Sequence, residues 1–497
     1  MNLTVLATLA PIGVMASLIA GGEASPQQGT SPVDALRGVI PQRIDSARAT
    51  QGATRPEAGL SKKRQRPRRL TTGFGDFYFT GSDDGLRRDL LDTAKKLNAG
   101  AVRLYVRWRS IAPITKPDGF AAANPNSPGY DWDSVDEAVG DARARGLRPI
   151  LLVNLAPDWA EGKKRPSLAV APAGTWKPNP SDVADFGAAI AKRYKGQVRD
   201  YMLWNEPNLT LWLLPQTSAP SHYRSMLNAF YDAVHRVDGT NRVITGGTAP
   251  YGGGRSAAGV NTRPLEFWRK IMCVKDNRKL SSTKCKKKAK FDVLAHHPIS
   301  TRGGPRSSAF HDDDISTPDL KNLVSVLRAA EKAGNVKPGG RRPVWAAELW
   351  WETNPPDPLP GNPSLGLQAQ WYQKALYMLW KQGASLVSFY QVRDDVYDGE
   401  PGLSSWQSGV EFADGSPKPS NRAVRFPFVA DRKSKQKVYL WGKAPNSGKL
   451  TVMDGNRRVT RLKVKAGKIF TKTVHLKGKH KLRAEVGNLK SLTWRLK

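Results

Sequence analysis

The chain has 497 residues, 39% of them hydrophobic and 15 of them Trp, which is too long for one small module and leaves room for a large domain beside a smaller one. Its 78 Lys and Arg against 43 Asp and Glu give a net charge of +35, so the expected partners are anionic: wall polymers, acidic polysaccharide, lipid headgroups or nucleic acid. Beyond the N-terminus no stretch is long and apolar enough to span a bilayer, and the only two cysteines, with no histidine nearby, make a poor zinc site.

The first element is "MNLTVLATLAPIGVMASLIAGGEAS", an apolar stretch ending in small residues, as a secretory signal does. It lacks an early Lys or Arg, and an uncleaved anchor is the alternative, but Pro11 and Gly13 disfavour a long spanning helix. Residues 1–24 are therefore read as a signal peptide, and the protein as secreted or attached to the cell surface. Residues 25–69 are rich in Pro, Gln, Gly, Ser and Arg without apolar periodicity and run into "SKKRQRPRR", which reads as a disordered basic linker. An exported chain seldom meets a genome, so nucleic acid drops out of the partner list.

From residue 70 to 427 short apolar runs alternate with amphipathic segments. The runs are "TTGFGDFYF", "AVRLYVRW", "LRPILLVN", "VRDYMLWN", "NRVITGGT", "FDVLAHHP", "RPVWAAEL" and "SLVSFYQV". Between them lie helical patterns such as "DDGLRRDLLDTAKKLNAG", capped by Asp and stopped at Gly100, and "LQAQWYQKALYMLWKQG", stopped at Gly383. Eight strand-and-helix repeats imply right-handed parallel crossovers and an α/β fold, a (β/α)₈ TIM barrel. An open doubly wound sheet would place a helix directly behind its first Gly-rich turn, and "GFGDFYFTG" does not. Cys273 and Cys285 flank the Lys-rich insertion "CVKDNRKLSSTKC"; a disulfide there would contribute roughly 3 kcal/mol by the chain-entropy model.

Over residues 428–497 the pattern becomes strict alternation with Gly-marked turns, giving a small C-terminal antiparallel β domain of sandwich-like character. Asp431, Asp454 and Glu485 are its only acids. Its lysines form either a solvated face or a contact for an anionic wall polymer. Tyr439, Trp441 and Phe470 are the residues that could instead pack the domain onto the barrel.

Working residues of a parallel barrel stand at the C-terminal ends of its strands. Glu206, in "YMLWNEPNLTLW", follows the fourth run, and Glu348 ends the seventh, with Glu352 in "WWET" as its alternative. Val344, Ala346 and Glu348 share a parity, so small and medium side chains should fill the barrel beneath the carboxylate. Two carboxyl groups on one rim are what glycoside hydrolysis requires, one protonated to donate to the leaving oxygen and one ionised.

"WNEPN" after a fourth strand, with a glutamate ending the seventh, resembles the clan A glycoside hydrolases, the cellulase-like superfamily that contains the family 5 and family 39 enzymes. The resemblance spans roughly residues 70 to 425. It implies that Glu206 is the acid/base, that Glu348 is the nucleophile and that Asn205 bonds the sugar 2-hydroxyl. Arg103 matches the arginine that supports the nucleophile, and His297 matches the sixth-strand histidine, with His296 the adjacent alternative. Trp159 resembles an aromatic lining the sugar subsites, and Asn154 and Tyr390, at the ends of the third and eighth runs, complete the substrate-binding set. Trp212, Trp350 and Trp351 also lie near strand-end loops, where sugars stack on aromatic faces. The chain departs from the clan pattern at Ile299, where a tyrosine is common, and in "SFYQVRDD", where an eighth-strand tryptophan is common and Tyr390 is offered in its place. The implied protein is a secreted retaining glycosidase, monomeric, acting on a carbohydrate without metal or organic cofactor. The alternative is a barrel that binds glycan or cell wall without cleaving it.

Overall fold

The computed structural model describes residues 69–300, 303–400 and 405–497. The expected signal peptide, and all but the last residue of the expected linker, lie outside the described residues. Eight parallel strands form the main body: β1 (Thr71–Gly75), β2 (Ala101–Arg107), β3 (Arg148–Asn154), β4 (Asp200–Leu203), β5 (Arg242–Thr245), β6 (Leu294–His296), β7 (Val344–Leu349) and β8 (Ala384–Tyr390). Each coincides with one of the eight apolar runs. The sheet runs β5-β4-β3-β2-β1-β8-β7-β6, and isolated parallel bridges from Ile244 to Val293 and from Thr248 to His296 close β5 onto β6. A helix follows every strand: α1 (Asp84–Lys96), α2 (Asp133–Ala144), α3 (Pro180–Arg193), α4 (Ala219–Val237), α5 (Pro264–Met272), α6 (Leu320–Lys332), α7 (Leu365–Gln382) and α8 (Pro419–Arg425). This is the (β/α)₈ barrel.

Helix boundaries follow local chemistry. Asp83 caps α1, its carboxylate accepting from the Leu86 N–H at 2.9 Å, and Lys95 and Lys96 sit in the last turn where they complement the helix dipole. The helix stops earlier than expected: the left-handed residue behind it is Asn98, at φ 59°, and not Gly100, because asparagine tolerates that conformation with little penalty. Gly383 does end α7, at φ 108°.

Alternation along the strands builds two cores. On β2, Val102, Leu104 and Val106 pack outward against the helices, while Ala101 and Tyr105 join Ile150, Leu152, Met202, Ile244, Val293, Ala295, Trp345, Ala347 and Leu386 inside the barrel. Its N-terminal floor is an ion cluster: the fully buried Asp200 accepts from Arg242 through two nitrogens at 2.7 Å and meets Arg148 at 2.8 Å, and both guanidinium groups lie over the Trp345 ring.

The Cys273–Cys285 disulfide is formed and staples the insertion between β5 and β6. Beyond the barrel, β9 (Phe428–Arg432), β10 (Lys437–Lys443) and β13 (Ile469–His475) make one antiparallel sheet, and β11 (Gly448–Asp454), β12 (Arg457–Val464) and β14 (His480–Val486) belong to a second. Phe428, Val438, Leu440, Leu450, Val452, Phe470 and Leu482 form a core shared by the two sheets. Phe470 thus fills this domain's own interior, stacked on Phe428. Trp441 alone of the three aromatic candidates is fully buried against the barrel, 5.6 Å from Tyr377 and 5.8 Å from Trp380 between centroids; Tyr439 covers the same core from its edge. Among the described residues no helix is long and apolar enough to cross a membrane.

Candidate active site

The C-terminal rim of the barrel draws four of the expected residues into one buried network. Glu348 accepts from Arg103 Nη2 at 2.5 Å and from Trp350 Nε1 at 3.1 Å. Arg103 also donates to the Tyr105 hydroxyl and faces His297 Nε2 at 3.3 Å. His297 Nδ1 lies 2.8 Å from Glu206 Oε1 and 3.9 Å from Glu348 Oε2. A guanidinium only donates, so His297 Nε2 accepts and the ring proton sits on Nδ1, where it is given to Glu206. With Oε1 so occupied, a proton carried by Glu206 belongs on Oε2.

β7 reaches this geometry by breaking its own alternation. Trp345 and Ala347 face the barrel interior, whereas Val344, Ala346 and Leu349 pack outward, so the expected parity of Val344, Ala346 and Glu348 does not hold. The pairing of β7 with β8 shifts register between Ala346 and Leu349. Such an irregularity reverses the phase of a strand and re-aims one side chain, and here it turns Glu348 inward.

The loop carrying Glu206 is equally irregular. Trp204 and Glu206 both have positive φ, 71° and 36°, a region costly for non-glycine residues and held only where the surroundings over-determine it. Trp204 is pinned by its N–H to the Val153 carbonyl and by its indole to the Trp212 carbonyl, both at 2.7 Å. The Glu206 N–H donates to the Gly247 carbonyl at 2.9 Å. Asn208, the last residue of "WNEPN", is fully buried and ties this loop to the one behind β5, donating to the Tyr251 and Thr262 carbonyls and accepting from the Ala249 N–H.

Gly246 and Gly247 are required by close approach. A Cβ on Gly246 would lie 2.6 Å from the Trp204 carbonyl oxygen, and one on Gly247 would lie 2.2 Å from His297 Nε2. Gly247→Ala should therefore displace His297 and lower kcat by roughly 10- to 100-fold, on the scale of a misplacement near 1 Å, while leaving the melting temperature within a few degrees. Unchanged kinetics in a folded Gly247→Ala protein would contradict this placement.

Burial acts on the two carboxyls alike, and their neighbours separate them. Burial raises Glu206, and the nearby Glu348 adds to it; the His297 hydrogen bond only partly offsets this, leaving Glu206 above its ordinary value of 4.5. Burial also works to raise Glu348, but the Arg103 charge and the hydrogen bonds from Arg103 and Trp350 outweigh it, and Glu348 falls below 4.5.

Asn205 and Asn154 are buried at the ends of β4 and β3. Tyr390, also buried, packs edge-on against Phe77 and Trp406. Trp159 stands apart from the glutamate network: its indole donates to the Pro113 carbonyl at 2.8 Å and its ring packs edge-on against Trp108 and Phe120. Trp212 and Trp351 are buried in the core. His296 accepts from Thr248 and donates to the Ile315 carbonyl, and burial drives it down to about 3. Glu352 lies in a separate buried cluster with Asp357, Asp394 and Lys418, and burial holds it up at about 8. Tyr105, whose hydroxyl reaches the network directly, was not among the expected site residues, and Trp350 was expected only as an aromatic near a strand-end loop, not as a donor to Glu348. Their signal was parity, since each lies two positions beyond a residue that was expected, Arg103 and Glu348.

No protein-family model and no curated protein matches the chain. Among solved structures it is similar to a family 39 glycoside hydrolase from the gut symbiont Bacteroides cellulosilyticus WH2, at 14% identity and a TM-score of 0.54, over 83% of this chain and 81% of that one. A family 39 enzyme from Xanthomonas axonopodis pv. citri aligns at 14% identity and TM-score 0.49 over 82% and 92% of the two chains. A family 39 β-xylosidase from Caulobacter crescentus aligns at 16% and 0.48 over 84% and 98%. At such identity the likeness to the Bacteroides structure is one of fold: the chain shares its barrel architecture.

Proposed function

We propose that the protein is a retaining glycoside hydrolase of the clan A type, with Glu348 as nucleophile and Glu206 as acid/base. The observation that carries this reading is the pair of buried rim carboxyls, shifted in opposite directions, that meet at one histidine nitrogen. Contacts of 2.8 and 3.9 Å to that shared nitrogen hold the two carboxyls at one mouth of the barrel, the arrangement in which one attacks the sugar and the other serves its leaving group.

In the first step Glu348, ionised and held by Arg103 and Trp350, attacks the anomeric carbon while Glu206 gives its Oε2 proton to the leaving oxygen. In the second, Glu206 takes a proton from water, which displaces Glu348 from the sugar. His297 keeps Glu206 oriented through both. Asn205 would bond the sugar 2-hydroxyl beside the nucleophile. A binding barrel without turnover has no use for two facing carboxyls whose proton affinities are pushed apart.

The pH profile tests this assignment. Activity needs Glu206 protonated and Glu348 ionised, so kcat/KM should rise as pH climbs through the lowered value of Glu348, below 4.5, and fall through the raised value of Glu206, above 4.5. On an aryl glycoside with a good leaving group, Glu206→Gln should lose the alkaline limb and keep the acid one. An alkaline limb that persists in Glu206→Gln assigns the acid elsewhere.

We propose further that the chain is exported, a reading supported by its disulfide and apolar N-terminus, and that it is monomeric. Its C-terminal domain would hold it near anionic wall polymer: Arg457, Arg458, Arg461 and Lys463 on β12 are exposed, and contacts of this kind weaken as salt rises.

A further inference from the structure

Two side chains at the mouth of the barrel stand outside the glutamate network. Arg107 ends β2 on the inward parity of Ala101, Arg103 and Tyr105, and Asn154 ends β3 as its register partner. The Arg107 guanidinium lies 6.0 Å from the Phe77 centroid. Phe77 packs on Tyr105 at 4.1 Å and on Tyr390 at 5.7 Å, and Tyr390 packs on Trp406. Trp406 in turn touches Trp350, whose indole holds Glu348. Arg107 therefore stands at one end of an aromatic shelf whose other end is the nucleophile.

What sets Arg107 apart is its lack of a counter-charge. Arg103 and Arg109, on either side of it in sequence, pair with Glu348 and Asp158. Arg107 makes no ion pair among the described residues, and burial alone acts on its guanidinium, lowering it from arginine's usual range. Beside it, the Oδ1 atom of Asn154 is buried without a hydrogen-bond partner. A half-buried cation and a buried acceptor, each left unmatched by the protein, are costly unless a ligand completes them. Both point to one ligand group that accepts from arginine and another that donates to asparagine.

Resting on the glycosidase reading, we propose that the sugar bound at this mouth carries an acidic substituent, a uronate carboxylate or a sulfate ester, which Arg107 receives while Asn154 accepts from one of its hydroxyls. A guanidinium fork matches two oxygens of either anion. The +35 net charge would draw such a polymer toward the barrel.

The test compares 4-nitrophenyl glucuronide, 6-sulfated glucoside and glucoside, in both anomers, as substrates of the full chain, with calorimetric binding of glucuronate, glucose 6-sulfate and glucose in parallel. The wild type should prefer at least one acidic form over the neutral one, and which form it prefers identifies the anion. In Arg107→Gln and Arg107→Ala that preference should fall by roughly 10- to 100-fold, the scale of a charge-assisted pair, with Arg107→Lys recovering part of it and melting temperatures confirming that each variant is folded. Arg107-dependent binding of glucuronate or glucose 6-sulfate without hydrolysis of any glycoside would uphold this inference and count against the glycosidase. Equal handling of acidic and neutral sugars by the wild type, or a preference that survives in Arg107→Gln, would overturn the inference and leave the glycosidase standing.

Discussion

Glu348→Ala is expected to reduce hydrolysis by roughly 10⁴-fold or more, the scale seen when a covalent nucleophile is removed. The change removes the attacking carboxylate and leaves Arg103 buried without its counter-charge, a loss of about 3–5 kcal/mol when one partner of a buried pair is deleted. Glu348→Gln, which keeps an oxygen facing Arg103 and Trp350, should be equally inactive and more stable. Azide supplied to Glu348→Ala should enter the vacated position and give a glycosyl azide of inverted configuration. Glu206→Ala should behave differently, sparing substrates whose leaving groups depart without protonation far more than those that need it. Residual activity in Glu348→Ala close to wild type, or equal losses on both substrate types in Glu206→Ala, would remove these residues from the roles given to them.

Deleting residues 428–497 is expected to unfold or aggregate the barrel. The C-terminal domain is joined to it by a dry contact: Trp441 is fully buried on Tyr377 and Trp380 of α7, and replacing such a tryptophan by alanine alone costs about 3–5 kcal/mol. Lys443, nearly inaccessible, reaches across to the Thr72 hydroxyl at 2.8 Å and the Asn98 carbonyl at 3.0 Å. The Phe428 N–H donates to Gln373 Oε1 at 3.1 Å, and the Tyr377 hydroxyl to Asp431 at 2.6 Å. Truncation exposes the α7 aromatics and opens these pairs together. Thermal melting of the truncated protein, beside retention of the full chain on anionic wall material at rising salt, separates a structural role from an anchoring one. A truncated barrel that melts at the wild-type temperature and is retained equally well would defeat both.

Much of this architecture was legible in the sequence because it rests on local pattern. Each apolar run became a strand since eight parallel strands, covered by helices outside and by side chains within, must be continuously hydrophobic. Glu206 and Glu348 could be singled out because strand ends are where such a barrel presents its chemistry. The phase of β7 could not be read, since the register shift that turns Glu348 inward depends on its pairing with β8 and leaves no mark in "VWAAEL". The need for Gly246 and Gly247 was hidden for the same reason: what forbids a side chain there is Trp204 in one case and His297 in the other, both distant in sequence. Trp159 was legible in position but not in orientation. A tryptophan behind a third strand fits a sugar subsite by position; here the ring is partly exposed, and its orientation is fixed by Trp108, Phe120 and the Pro113 carbonyl, which only tertiary contacts could disclose.

The most direct test of the central claim is the configuration of the first product. Proton NMR of the reaction mixture, recorded before mutarotation equilibrates the released sugar, should show the anomer of the substrate appearing first, because two displacements at the anomeric carbon restore its configuration. Initial release of the opposite anomer would mean that water attacks directly, and would contradict both the nucleophilic role of Glu348 and the retaining mechanism.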